Sequence, residues 1–288
     1  MAKRSSARTV PLIWTRPAPA ARHRSLGRDE IVSAAIALVD ADGPDALTMK
    51  AVAGRLGPYT PMALYRYVQS KDGLVDLMLD TAIGTVPVPE RPGPDWKADL
   101  RDVAVATRGM INKHPWYAWL VHTRPPVGPN TMRRTEFMLA VLVGRGATVP
   151  AAMTFAALID RHIFGSGLQE AQEARFNESH GLDRPEDVIA AIASVRDLAI
   201  ADGRLPLLAS WLAEPTADGV DEQFQLGLDF LLDGIATRLP RRWRASTTPQ
   251  PKTPRAKTPN RRHRDRPRPA PPTSAEGHTN PSGPGDVV

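Results

Sequence analysis

Residues 48–71 read TMKAVAGRLGPYTPMALYRYVQSK, and this stretch of the 288-residue chain holds the side chains whose types and spacing suggest a chemistry. An arginine such as Arg66 can donate two hydrogen bonds to a guanine edge, or it can pair with a phosphate. A methionine such as Met62 can contact the methyl group of a thymine. Contacts of this kind need an exposed face of a rigid element, so the interpretation depends on which elements the stretch forms.

The stretch predicts two short helices around a tight turn. The first is expected at residues 49–56 and the second at about 61–67, with Gly57 placed where a helix end favours a positive φ. Thr48 and Thr60 can each cap the helix that follows, because a hydroxyl oxygen can accept from a backbone N–H that has no partner within the helix. Two helices joined in this way form a helix-turn-helix, whose second helix can enter the major groove of DNA.

Two further helices flank this motif. Residues 28–41 place apolar side chains, among them Ile31 and Leu38, at the spacing of one buried helical face. Ser70 can cap another helix, which is expected at residues 71–83. The module therefore spans residues 28–83, holds four helices and belongs to the all-α class.

The module resembles the N-terminal DNA-binding domain of the tetracycline-repressor (TetR) family. The matching positions are 31–38, Gly43, 46–49, 52–53, 56–57, 62–68 and 70–74. The family usually reads Leu-Gly-Val-Ser before its recognition helix, whereas this chain has Pro-Tyr-Thr-Pro at 58–61 and a turn one residue longer. The resemblance implies an all-α protein with an N-terminal helix-turn-helix domain and a C-terminal helical domain for ligand binding and dimerisation.

The resemblance also implies which residues contact DNA. In this family the base-reading residues lie on the second helix of the motif and on the turn before it, and backbone contacts lie at helix N-termini. By motif position the candidates are Thr48, Tyr59, Thr60, Pro61, Met62, Tyr65, Arg66, Tyr67 and Lys71. Arg66 is expected on a phosphate rather than on a guanine. Tyr65 and Tyr67 can donate their hydroxyls to phosphates, although one of them could merely pack.

A second all-helical domain is predicted at residues 96–240. Trp96 followed by His-Pro-Trp at 114–116 resembles, more loosely, the family's C-terminal ligand-binding and dimerisation domain. The family dimerises through two C-terminal helices of each subunit, so the resemblance makes residues 150–174 and 221–239 the candidates for a four-helix bundle. A homodimer would present two recognition helices to a palindromic operator in double-stranded DNA.

Polar and aromatic side chains interrupt the apolar helices of this second domain, and they are candidates for a pocket that binds a small organic inducer. They are Met110, His114, Trp116, Trp119, His122, Arg161, His162 and Phe164. His162 beside Arg161, on an otherwise apolar helix, is the best polar candidate. Core packing explains most of the aromatic residues equally well, and a histidine on such a helix is more often a structural hydrogen-bond partner than a ligand contact.

Charge is divided sharply along the chain. Residues 1–28 hold seven Lys or Arg and no acid, and residues 241–288 hold eleven against three acids, while the middle has nine more acids than bases. We expect a basic disordered arm at 1–27, a Pro-rich linker at 84–95 and a disordered, basic, Pro-rich tail at 241–288. The helix-turn-helix module is itself acidic, so the arm could supply attraction to phosphates. A merely solvated leader is the alternative.

Composition and motifs exclude several classes of function. The chain has no cysteine, which excludes disulfides and thiol catalysis and fits a cytoplasmic protein. No apolar run approaches the length that spans a membrane. Without a nucleophile elbow, a phosphate loop or a metal-spaced cluster, we expect no catalytic residues, no metal site, no cofactor and no enzyme. The leading hypothesis is a ligand-responsive transcriptional regulator, most often a repressor in this family, and the alternative is an architectural DNA-binding protein without a ligand.

Overall fold

Helices account for all the regular structure in the part of the chain that the computed structural model describes, residues 13–15, 26–124, 126–182, 184–214 and 219–240. These residues form eleven α-helices, two short 3₁₀ turns and no β-strand, so the all-α prediction is confirmed. The helices are α1 (Arg28–Asp42), α2 (Met49–Arg55), α3 (Pro61–Val68), α4 (Lys71–Ile83), α5 (Trp96–Lys113), α6 (Trp116–Thr123), α7 (Pro129–Gly144), α8 (Val149–Ser179), α9 (Pro185–Asp202), α10 (Pro206–Ala213) and α11 (Val220–Arg238).

The helices α1 to α4 form what we call the N-terminal bundle, and capped N-termini set where α2, α3 and α4 begin. The side-chain oxygens of Thr48, Thr60 and Ser70 accept from the backbone N–H groups of Ala51 (3.0 Å), Ala63 (3.3 Å) and Gly73 (2.9 Å). Gly57 has a φ of 90°, as expected of a residue that ends a helix in the left-handed region. Leu64 and Val68 of α3 are fully buried. The predicted helix-turn-helix therefore forms, and its second helix starts at Pro61.

The helices α5 to α11, which we call the C-terminal bundle, are arranged around α8. This helix contacts α5, α6, α7 and α11, whereas α9 and α10 pack mainly on each other. The apolar pattern predicts that α8 ends at residue 174, but the helix continues to Ser179 and is followed by Gly181 at a φ of 65°. The last turns of α8 are polar, so the apolar periodicity stops before the helix does. Among the described residues, no helix combines the length and the apolarity needed to cross a membrane.

One segment of the basic arm has a defined place in the fold. Residues Ile13–Thr15 form a single 3₁₀ turn against α4, and Ile13 is buried. The expectation that the whole of residues 1–27 is disordered does not hold at this turn or at Leu26, which is also buried, because the average composition of the arm conceals these apolar anchors. The rest of the arm up to residue 25, and the tail at 241–288, lie outside the described residues.

The carboxylate of Asp80 in α4 joins the two bundles at the start of α7. Asp80 is 4% exposed and accepts from the backbone N–H groups of Asn130 (3.2 Å) and Thr131 (2.9 Å) and from both of their side chains (3.0 and 3.1 Å). The positive end of the α7 dipole adds to this attraction. A β-carbon at Gly128 would lie 2.2 Å from the Asp80 carboxyl carbon, so the joint requires glycine there. The position of α4 is therefore fixed relative to α7.

Replacing Asp80 by alanine is expected to lower the free energy of unfolding by about 2–4 kcal/mol, because several buried donors at the start of α7 lose their acceptor. Urea denaturation followed by circular dichroism measures this change. Asp233→Ala is the matched control, since its carboxylate pairs with Lys97 but is 70% exposed. The control should cost less than about 1 kcal/mol. Equal losses in the two variants would contradict the special role of Asp80.

Candidate DNA-binding face and ligand cleft

The second helix of the motif, α3, exposes one face that carries three of the predicted contact residues. Met62 is 74% exposed, Tyr65 is 38% exposed and Arg66 is exposed as well. Their spacing of three and four residues puts them on one side of the helix, while Leu64 and Val68 face the core. The only charged residue of α3 is Arg66. This face can therefore contact an apolar group through Met62, donate a hydrogen bond from the hydroxyl of Tyr65 and pair with an anion through Arg66.

Four other predicted contact residues lie at helix N-termini. Thr48 and Thr60 precede α2 and α3, Pro61 is the first residue of α3, and Lys71 is the exposed first residue of α4. The two threonine hydroxyls already accept a backbone N–H, but each keeps its own proton to donate to a phosphate. An ammonium group at the start of α4 adds to the positive end of that helix, where anions are favoured.

Tyr59 and Tyr67 are placed differently from Tyr65. Both are partly buried and pack against the apolar core, and the backbone carbonyl of Tyr67 accepts from the guanidinium of Arg28 (3.2 Å). Of the pair Tyr65 and Tyr67, the one that packs is therefore Tyr67. Because both rings are partly buried, only their exposed parts could contact DNA.

The acids of the N-terminal bundle lie mainly against the C-terminal bundle. Five of the eight acids between residues 29 and 83 bond to it: Asp40, Asp45, Asp72, Asp76 and Asp80. Their partners include Arg124, which reaches Asp72 (3.1 Å) and Asp76 (2.6 Å). Burial raises the pKa of the Asp76 carboxyl above its ordinary value, although Arg124 opposes this shift. The acidic balance of the module thus reflects a joint between bundles, which the charge count alone did not reveal.

A second joint connects α1 to α6 through Asp40. The Oδ1 atom of Asp40 accepts from Trp116 Nε1 (2.6 Å) and lies 2.8 Å from His114 Nδ1. Because a carboxylate only accepts, His114 holds its proton on Nδ1 and donates it. The two donors are buried, since His114 is 8% exposed and Trp116 is 3% exposed, whereas the side chain of Asp40 is 32% exposed. It ties the end of α1 to the turn between α5 and α6.

A cleft of about 680 Å³ opens beside the Asp40 joint, between α1, the α5–α6 turn, α6 and the second half of α8. Two of the predicted pocket residues, Trp116 and Trp119, line it. Apolar and small residues of α8 line it as well, together with carboxylates from α1 and α8. Its volume is in the range of pockets that hold drug-sized ligands.

The other predicted pocket residues do not meet at this cleft. His114 does not line the cleft but bonds to Asp40, which does, and Met110 is buried in the core. Phe164 packs on Tyr117, and His162 stacks on Phe224. His122 bonds to the Ala118 carbonyl of its own helix, and Arg161 is exposed on α8. The eight side chains therefore do not form one pocket. These residues were chosen by type, but their positions around each helix and the packing of the helices place their side chains in different parts of the domain.

A buried polar cluster in the C-terminal bundle was missed by the sequence interpretation. Arg134 is 2% exposed, donates to Thr107 Oγ1 (3.1 Å) and lies 2.8 Å from Asp160. The nearby hydroxyl of Tyr117 is buried without a hydrogen-bond partner among the described residues. Burial raises the pKa of this phenol far above its ordinary value. Periodicity could not find the cluster, because its members come from four different helices.

Both bundles match family models. A model described as bacterial regulatory proteins, tetR family, matches residues 31–78, and one described as tetracyclin repressor-like, C-terminal domain, matches residues 88–239. The HTH-type transcriptional repressor DrrR1 of Streptomyces coeruleorubidus is 33% identical over 233 residues, which cover 80% of this chain and 85% of the relative. An HTH-type transcriptional regulator of Saccharopolyspora erythraea is 33% identical over 227 residues, covering 78% and 91%.

Solved structures share the same architecture. The TetR family protein ActR of Streptomyces coelicolor in complex with actinorhodin aligns with a TM-score of 0.63 at 25% identity, covering 74% of this chain and 98% of that one. The same protein in complex with (S)-DNPA also gives a TM-score of 0.63 at 25% identity, covering 75% and 100%. The first family match contains α3, and the second contains α6 and α8.

Tyr117→Phe is expected to leave the free energy of unfolding unchanged or to raise it by up to about 1 kcal/mol, because it removes a buried hydroxyl that finds no hydrogen-bond partner in the part of the chain that the structure describes. Thermal unfolding measures the change. Tyr117→Ala, which also removes the fully buried ring, should cost about 3–5 kcal/mol. If Tyr117→Phe proves clearly destabilising, the hydroxyl has a partner in solution.

Proposed function

We propose that this chain, which belongs to the tetracycline-repressor family of transcriptional regulators, is a homodimeric repressor that a small organic molecule releases from a palindromic operator. Support comes from relatives that are named as transcriptional repressors or regulators, and from the similar structure of ActR in complex with actinorhodin. A repressor must reach the chromosome, so we also propose a cytoplasmic location.

The exposed face of α3 carries this proposal. Met62 would contact a thymine methyl, while Arg66 and the hydroxyl of Tyr65 would bind phosphates. The residues at the helix N-termini, Thr48, Thr60, Pro61 and Lys71, would hold the adjacent backbone. Tyr59 and Tyr67 are proposed at the edge of the same surface. Since α3 carries no acid, the negative charge of the duplex meets no carboxylate on this helix.

The dimer surface is proposed on α8 and α11, the helices that correspond to residues 150–174 and 221–239. These two helices pack on each other, yet both leave large apolar side chains exposed, among them Met153 at 48% and Phe230 at 68%. Two such helix pairs brought together by a twofold axis would bury these side chains in a four-helix bundle. The dimer would then present two copies of α3 to two half-sites.

Release follows from the joints between the bundles. A ligand shifts a two-state equilibrium only if it binds one state more tightly, so the inducer must favour an arrangement in which the two α3 helices no longer fit the operator. The joints at Asp40 and Asp80 connect α6 and α7 of the C-terminal bundle to α1 and α4. Any movement of α6 or α7 on ligand binding would therefore displace the N-terminal bundle as a unit.

Arg66→Ala and Lys71→Ala should each weaken operator binding by about tenfold without unfolding the protein, since both side chains are exposed and each variant gives up one bond to a phosphate. Footprinting on the DNA that flanks the gene would define the operator, and fluorescence anisotropy would give the affinities. Arg196→Ala is the matched control, because Arg196 lies on α9 and pairs with its neighbour Asp197. Unchanged affinity in both test variants would refute the assignment. Binding without a short palindromic footprint would favour an architectural protein.

If the basic arm binds DNA, changing the six Lys and Arg residues within 1–24 to Gln should flatten the dependence of operator affinity on salt. The slope of log affinity against log salt should fall by about 0.9 for each phosphate that the arm no longer neutralises. This variant is preferable to deletion because it keeps the buried Ile13. Changing Arg261, Arg262 and Arg264 to Gln tests the tail in the same way. An unchanged slope in the arm variant would show a solvated leader.

A further inference from the structure

We propose that the cleft beside Asp40 binds a flat aromatic molecule that carries a protonated amine, and that this binding acts on the N-terminal bundle through Asp40. The inference rests on the proposed function, because it names the chemical class of the inducer and the point at which it acts. Three features meet in this one cavity of about 680 Å³: two tryptophans, several carboxylates, and the hydrogen-bonded link between α1 and α6.

The shape of the lining suits a flat ring. Trp116 and Trp119 lie three residues apart on α6, so both indoles belong to one side of that helix. Trp119 is 39% exposed and offers a ring face that a ligand can stack on. From α8, Gly167, Ala171 and Ala174 line the cavity at helical spacing without a bulky side chain. A planar ligand can therefore lie along α8 while it contacts an indole.

The charge of the lining favours a cation. The carboxylates are Asp40, Asp42, Asp45, Glu170 and Glu178, and the only arginine or lysine among the lining residues is Arg175. Arginines outside the lining already hold Asp42 and Glu170. Glu178 has no side-chain partner among the described residues, and Asp45 pairs with Arg175 at 3.2 Å where both groups are largely exposed. Such exposed pairs are weak, so Asp45 and Glu178 are available to an ammonium group, which the indole faces attract as well.

Asp40 connects the cleft to the DNA-binding module. Its hydrogen bonds with Trp116 and His114 both fall on Oδ1, and its side chain is 32% exposed at the cleft. The other oxygen, Oδ2, accepts from none of the described residues. An ammonium group bound at Oδ2 would draw the carboxylate toward the cleft and weaken its hold on Trp116 and His114. The end of α1 would then be held less tightly against α6, so the N-terminal bundle could take an orientation in which α3 no longer fits the operator.

Three probes that share one ring system test the chemical class. They are 9-(aminomethyl)anthracene, 9-(hydroxymethyl)anthracene and 9-anthracenecarboxylate, which are cationic, neutral and anionic near neutral pH. Calorimetric titration of the full-length protein without DNA avoids binding of the amine to the duplex. The amine should bind about tenfold more tightly than the alcohol, and the carboxylate should bind least. Equal affinity for the three probes, or tightest binding of the carboxylate, would overturn the proposal.

Variants locate the site. Trp119→Ala should weaken binding of all three probes, whereas Glu178→Gln should lower only the preference for the amine over the alcohol. Trp211→Ala is the matched control, because Trp211 is a second exposed tryptophan that lies on α10 and does not line the cleft. It should bind like the unchanged protein. A loss of binding in Trp211→Ala with none in Trp119→Ala would place the site elsewhere.

The role of Asp40 is tested by operator release. Asp40→Asn keeps the size of the side chain and an acceptor oxygen but removes the charge. Saturating amine should release the unchanged protein from its operator and release Asp40→Asn several-fold less, each relative to its own operator affinity. Release that is equally strong in Trp119→Ala would come from binding of the amine to DNA and would overturn the coupling. The proposed function is tested separately by the operator footprint in the absence of any probe. A specific footprint would support that function even if none of the probes bound the cleft.

Discussion

The carboxylates of α1 and α4 govern how this molecule holds its recognition helix. Asp80 takes its hydrogen bonds from the start of α7, while Asp40 takes its own from the other side, at α6. Asp80 is buried, and a buried carboxylate is costly to leave without donors, so this link is hard to break. Asp40 is partly exposed, and its link to α6 is the more accessible of the two. Together with the pairing of Arg124 with Asp72 and Asp76, these contacts set the orientation of the N-terminal bundle and therefore of α3.

The same arrangement explains how an acidic module can serve an anionic partner. Carboxylates that pair with Arg124 or with the first turn of α7 are compensated locally. At physiological salt, charges separated by more than about 8 Å are largely screened, so the joints contribute little repulsion at a distant DNA surface. Because α3 carries a single cation, any strong attraction of the duplex by bulk charge would have to come from the basic arm or tail rather than from this helix.

The sequence could predict what is local and could not predict what is distant. The helix ends were predicted correctly from Thr48, Thr60 and Gly57, because caps and positive-φ turns depend only on neighbouring residues. The pocket residues were chosen by type alone, and only Trp116 and Trp119 reached the cleft. The partners of Asp80 lie about fifty residues away along the chain, a distance at which periodicity carries no information. One trace was visible: the acids at 72, 76 and 80 repeat every four residues on one side of α4.

That repeat has a consequence for engineering. Biosensors are often built by grafting the DNA-reading half of one regulator onto the sensing half of another. Here the acids of α4 are matched to residues 124–131, including a position where only glycine fits. A chimera cut at the Pro-rich segment after α4 would separate the three acids from their donors and leave Asp76 and Asp80 largely buried without a partner. A hybrid that also transfers residues 124–131 with the N-terminal bundle would keep the pairing. The functional boundary between the two halves therefore does not coincide with the Pro-rich segment.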